Sequence, residues 1–94
     1  MIPPTTILEA LTSRDLLGLL DAVCRARGVT REELCGRGRT KNVALARQEV
    51  WWHLRRHPGM SYDEIGRLFD RNRTTIMGGV RAYLRARTAA SPVT

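Results

Sequence analysis

Ser61-Tyr62-Asp63-Glu64-Ile65-Gly66-Arg67-Leu68-Phe69-Asp70-Arg71-Asn72-Arg73-Thr74-Thr75-Ile76 is the stretch on which the fold turns. Ser61 and Glu64 stand at capping-box spacing, the hydroxyl reaching forward to a backbone N–H and the carboxylate reaching back. They open a short helix whose Ile65, Leu68 and Phe69 share an inward face. Asp70-Arg71 is a turn. Asn72 is suited to cap a longer helix, with Arg73, Thr74 and Thr75 in its first turn and Ile76, Val80, Tyr83 and Leu84 as its apolar stripe. Short helix, brief turn and longer helix make a helix-turn-helix pattern. A helix N-terminus leaves backbone N–H groups unpaired and carries the positive end of the helix dipole, so Arg71 to Thr75 sit where a phosphate or base edge is most readily bound.

Working outward, Val43, Ala44, Ala46, Val50, Trp51 and Leu54 fit a central helix of roughly four turns, capped by Asn42 and ended by His57-Pro58-Gly59. Trp51 and Trp52 lie about 100° apart on it, so one of them is only partly buried. Upstream, Cys35-Gly36-Arg37-Gly38-Arg39-Thr40-Lys41-Asn42 alternates cations with small residues and reads as a flexible basic loop. Thr30 and Glu33 form another capping box, opening a segment of a turn or two before Gly36. From Ser13, the spacing of Leu16, Leu17, Leu20, Val23 and Cys24 predicts an amphipathic helix that stops at Gly28. No strand pattern or internal repeat appears, so the expectation is an all-α, compact helical domain containing a helix-turn-helix. Residues 1–12 are expected to be an apolar lead-in around Ile7, Leu8 and Leu11, residues 13–87 the domain, and residues 88–94 a flexible tail.

Composition narrows the function. Ninety-four residues suit one small domain rather than a roomy enzyme cleft. The net charge of +7 and pI near 11.0 favour a polyanionic partner. The excess is concentrated: residues 1–33 carry four basic and five acidic side chains, net −1, whereas residues 34–94 carry twelve and four, net +8. Cys24 and Cys35 have neither zinc-finger nor disulfide-framework spacing, and two thiols without a signal peptide suggest a reducing cytoplasm. Neither a membrane span nor a catalytic triad, carboxylate pair or metal cluster is indicated, so no enzyme and no cofactor are expected. His53 and His57 stand four apart on the central helix, but Leu54-Arg55-Arg56 between them supplies no acid and argues for a structural pair.

Leu34, the basic loop, Val43-Ala44, Arg47-Gln48, Ser61 with Asp63-Glu64-Ile65-Gly66, and Arg71-Asn72-Arg73-Thr74-Thr75-Ile76 together resemble the C-terminal DNA-binding domain of the bacterial replication initiator DnaA. The resemblance spans roughly residues 14–87 and implies a fold of the kind also seen in the Trp repressor. It implies that the second helix of the helix-turn-helix enters the major groove while an arginine-rich loop enters the minor groove. Carried over by position, Lys41 matches the minor-groove arginine, with Arg37 and Arg39 in the same loop. Arg47 and Gln48 match an Arg-Gln pair that holds the phosphate backbone, and Arg55 a further basic position. Thr74 and Thr75 match two threonines that meet base edges in an A/T-rich box.

Several residues depart from the family pattern. Asn72 and Arg73 replace Asp and His, and Asp70 stands in a shorter turn where two glycines are common. Arg73 is suited to a bidentate contact with guanine. Gly78 and Gly79 each cost about 1 kcal/mol in helix propensity, to be offset by close packing at Gly79 or close approach of DNA at Gly78. No G-x-x-x-x-G-K-[ST] phosphate loop occurs in these residues, so no nucleotide is expected and the chain reads as a free-standing domain.

The expectation is therefore sequence-specific double-stranded DNA binding in replication or transcription control, nucleoid-associated in the cytoplasm. DNA contacts are expected from Arg37, Arg39, Lys41, Arg47, Gln48, Arg55, Arg71, Asn72, Arg73, Thr74, Thr75 and Gly78. Two alternatives stand beside it: a nonspecific architectural DNA binder, and an adaptor that meets a protein partner through the N-terminal segment or Trp52. Plainer readings weigh against single residues, since loop cations can be a solvated linker and Thr74 and Thr75 mere capping hydroxyls.

Overall fold

The computed structural model describes residues 16–38, 40–56 and 59–90. Among these are five α-helices and no strand: α1 Leu17–Arg27, α2 Arg31–Cys35, α3 Lys41–Arg56, α4 Tyr62–Phe69 and α5 Arg73–Ala90. The all-α expectation is met, with the central helix α3 packed against each of the other four.

Local chemistry sets most boundaries. Gly28 takes the left-handed conformation at φ 65° that closes α1, and Arg25 and Arg27 lie in its last turn, where the helix dipole favours cations. Both capping boxes form, Thr30 with Glu33 at α2 and Ser61 with Glu64 at α4. The start of α3 differs from the sequence reading. Its first backbone bond runs from the Ala44 N–H to the Thr40 carbonyl, and the Asn42 side chain, expected as the cap, donates instead to the carbonyl of Arg27. Asn42 thereby ties α3 to the end of α1, as does the 2.7 Å pair of Arg27 Nε with Glu49 Oε1. Ser13, the lead-in and His57 lie outside the described residues.

Leu20, Leu34, Ala46, Val50, Leu54, Ile65 and Ile76 are all fully buried in one core that draws on every helix. Trp51 is buried and Trp52 half-buried, as their angular separation requires. Trp51 meets Phe69 edge to face at 5.9 Å between ring centroids, and its ring packs against α5 at Gly79. A Cβ on Gly79 would sit 2.6 Å from Trp51 Cε3 and Cζ3, so the missing side chain makes room for the indole. Leu84, expected on the apolar stripe, is 41% exposed. α5 runs through Ala90, and the Thr88 hydroxyl donates to the Leu84 carbonyl inside that helix.

The turn between α4 and α5 is tight. Asp70 adopts the left-handed conformation at φ 57°, one that Asp tolerates better than most residues, and the Arg71 N–H bonds the Gly66 carbonyl at 2.7 Å. A Cβ on Gly66 would lie 2.5 Å from the Arg71 carbonyl oxygen. Glycine at 66 is thus what lets the chain double back so closely.

Candidate nucleic-acid interface

The N-terminal turns of α5 separate two faces. Ile76, Gly79, Val80 and Tyr83 turn to the core, while Asn72, Arg73, Thr74, Thr75 and Gly78 are exposed. Asn72 sits at the cap position, its carbonyl accepting from the Ile76 N–H at 3.2 Å. The first-turn N–H groups and the dipole's positive end therefore face outward beside Arg73 and two hydroxyls. Nothing within 4 Å would meet a Cβ at Gly78, so its backbone is open to close approach.

A cleft of about 260 Å³ runs between α3 and α5, lined by Gln48, Trp51, Arg71, Thr75, Gly78 and Gly79, with Ala44 and Arg47 at its wall. Gln48 Oε1 is buried there and finds no hydrogen-bond partner among the described residues; Trp51 Nε1 is likewise unpaired. The fold thus brings together Gln48, Arg71, Thr75 and Gly78, which are up to 30 positions apart in sequence.

Arg47, expected to hold the phosphate backbone, is turned into the protein. It is 6% exposed, and its guanidinium donates Nε to the Leu34 carbonyl (2.8 Å), Nη1 to Gly38 (2.7 Å) and Nη2 to Glu33 (2.8 Å). Burial is the main cause holding its pKa below the usual arginine value, with the Arg71 charge adding to it. The buried arginine consequently holds the end of α2 at Glu33 and Leu34 and, in the loop expected to be flexible, Gly38. Arg71 joins in, donating Nη2 to the Gly36 carbonyl (3.0 Å) and Nη1 to Phe69 (2.8 Å), with its guanidinium 5.7 Å from the Trp51 ring centroid. Its pKa is also lowered, by burial first and then by Arg37. Arg37 Nη2 donates to both the carbonyl and Oδ2 of Asp70, at 3.0 and 2.9 Å.

Lys41 is exposed as the first residue of α3, and Arg39 lies outside the described residues. Arg55 sits at the other end of α3, over the Tyr62 ring at 4.9 Å and donating to the Met60 carbonyl at 3.5 Å. Gly66 and Asp70 are not among the expected site residues, although Asp70 stands out in the sequence as a polar residue in the turn. Away from this face, Cys24 and Cys35 are free and buried, and burial pushes the Cys35 thiol up to about 11, which favours its protonated form.

Comparison with known proteins places this geometry. Residues 18–82 match the family described as the bacterial DnaA protein helix-turn-helix. The chain belongs to that family. It is a family of DNA-binding domains, not of catalytic ones, and the matched DnaA residues contain every helix described above except the end of α5 and the first residue of α1. The chromosomal replication initiator protein DnaA of Thermomicrobium roseum is 43% identical over 63 residues, covering 66% of this chain and 14% of the relative. DnaA of Oleidesulfovibrio alaskensis is 25% identical over 79 residues, 84% of this chain and 17% of the relative. DnaA 1 of Chlamydia trachomatis is 31% identical over 78 residues, 81% and 17%. The chain thus spans less than a fifth of the length of these DnaA relatives. No solved structure matches it. No helix among the described residues is long and apolar enough to cross a membrane.

Proposed function

We propose that this domain binds double-stranded DNA sequence-specifically, with α5 in the major groove and the 36–41 loop in the minor groove. The observation that supports it most directly is the two-faced start of α5, where Arg73, Thr74, Thr75 and Gly78 are exposed together while the opposite face is anchored in the core. In this reading Thr74 and Thr75 offer hydroxyls to base edges and methyls to thymine, and Arg73 reaches guanine O6 and N7. Gln48, at the wall of the same cleft, meets the phosphate backbone, and the exposed Lys41 enters the minor groove of an A/T segment. Arg47 serves by holding the loop rather than by touching DNA. The target in this reading is an initiator-type box, bound in the nucleoid in the control of replication or transcription; the relatives' name, chromosomal replication initiator protein, supports the replication context.

Selection from randomised duplexes tests the proposal. The expected result is an enriched motif with an A/T-rich segment, and affinity that falls steeply with salt as phosphate counterions are released. Thr75→Ala should flatten preference at particular base pairs by about 1–3 kcal/mol while leaving the rest of the motif intact. Selection that enriches no motif would refute sequence-specific recognition and leave a nonspecific architectural binder.

A further inference from the structure

Between the loop and the turn of the helix-turn-helix, two arginines cross in opposite directions. Arg37 leaves the loop and grips Asp70 at both its carbonyl and Oδ2, while Arg71 leaves the turn and grips the Gly36 carbonyl in the loop. The residues joined are 33 and 35 apart in sequence, so these bonds fix one segment against the other rather than stiffening either alone. Beneath them Arg47 holds Glu33, Leu34 and Gly38, and the Arg71 N–H is bonded back to Gly66. Asp70 can serve as the acceptor because it takes the left-handed conformation without a glycine.

We infer that Arg37, Asp70 and Arg71 form a clasp that sets the spacing of the DNA site, making the minor-groove loop and the major-groove helix one rigid reader of a bipartite duplex. The inference rests on the two-groove reading proposed above. Arg37 and Arg71 are in this account positioning residues, since the donors described are turned to protein. One inserted base pair moves the two halves of a site apart by about 3.4 Å and rotates them by about 35°, a mismatch that a rigid reader does not absorb.

The test compares binding to the selected duplex with binding to the same duplex carrying one extra base pair between its A/T segment and its major-groove segment, by fluorescence anisotropy. Wild type is expected to bind the lengthened duplex about tenfold or more weakly, the size of a mismatched base pair. Arg37→Ala, and Asp70→Gly, which keeps a residue at ease with positive φ but removes the side-chain acceptor, are each expected to narrow that ratio to about threefold or less. Taking the ratio cancels the uniform loss of affinity from removing a cation, and Arg37→Lys should recover part of the discrimination. Thermal melting checks that each variant is folded. Variants that keep the wild-type ratio, or a wild type that accepts both spacings equally, would overturn the clasp and leave two-groove binding standing. Failure of the selection to yield any motif would instead remove the reading on which the clasp depends.

Discussion

Gly78 and Gly79 are adjacent, chemically identical and inside the same helix, yet their replacement by alanine should change stability in opposite directions. At either position the methyl recovers about 1 kcal/mol of helix propensity. At Gly78 nothing lies within 4 Å of the new Cβ, so the gain is kept whole. At Gly79 the Cβ would sit 2.6 Å from two carbons of the Trp51 ring and 3.4 Å from Gln48 Cγ. The indole is buried and held edge to face against Phe69, so it yields only by shifting the core, at about 1–3 kcal/mol for overpacking. The net expectation is stabilisation of about 1 kcal/mol for Gly78→Ala and destabilisation of up to about 2 kcal/mol for Gly79→Ala. In a domain of this size each kcal/mol moves Tm by about 4–8 °C, so urea and thermal unfolding resolve the two easily. Trp51→Leu in the Gly79→Ala background should recover part of the loss relative to Trp51→Leu alone. Equal stabilisation by both alanines would refute the packing of α5 on Trp51. Gly78→Ala carries a second reading: a more stable protein that binds DNA less tightly would show that the backbone there is left bare for the ligand.

Gly66→Ala should destabilise by about 1–3 kcal/mol, because its Cβ meets the fixed Arg71 carbonyl rather than a side chain that can swing aside; chemical denaturation would show it, and a neutral result would mean the turn is looser than drawn. Arg47→Ala leaves three carbonyls without their donor and should cost about 2–4 kcal/mol, with amide exchange rising first at residues 34–38. Asp21 pairs with Arg31 through two short bonds, and that hydrogen bonding is the main cause lowering its pKa below 3.8. A lowered folded-state pKa contributes stability that is complete above the ordinary Asp value and is lost as pH falls through the folded one. Below about pH 4 wild type should therefore lose an increment of stability that Asp21→Asn lacks, measured by unfolding across an acid series.

What could be read from sequence was what neighbours in the chain decide. Both capping boxes, the Gly28 stop and the division of labour between Trp51 and Trp52 follow from spacing alone. Two of the misreadings involve partners distant in sequence. Asn42 looks like a cap until the end of α1 offers it a carbonyl. The basic loop looks flexible because its periodicity is absent, whereas Gly36 and Gly38 within it are held by Arg71 and Arg47, which lie elsewhere in the chain. Tertiary hydrogen bonds to backbone carbonyls leave no pattern in the residues that accept them. Gly66 is equally silent: a glycine in a short helix reads as a small penalty until the Arg71 carbonyl is seen where a side chain would be.

Counting basic residues also hides how their charge is used. Arg47 and Arg71 hydrogen-bond only to carbonyls among the partners described, so these bonds direct the guanidinium groups without cancelling their charges. A neutral carbonyl directs a guanidinium without neutralising it, and partial burial lowers the screening that solvent would provide. Both side chains also line the cleft beneath Thr75, together with an unpaired amide oxygen and no carboxylate. The same arginines can therefore order the loop and still raise the positive potential at the start of α5, where the helix dipole adds to it. Arg37 pairs directly with a carboxylate, that of Asp70, whose charge also acts on Arg71, and the pair is largely exposed, with side-chain exposures of 55% and 44%. Its Coulomb energy is correspondingly small. The value of Asp70 to the domain is then geometric, and its removal should change what spacing of DNA is accepted far more than how stable the fold is.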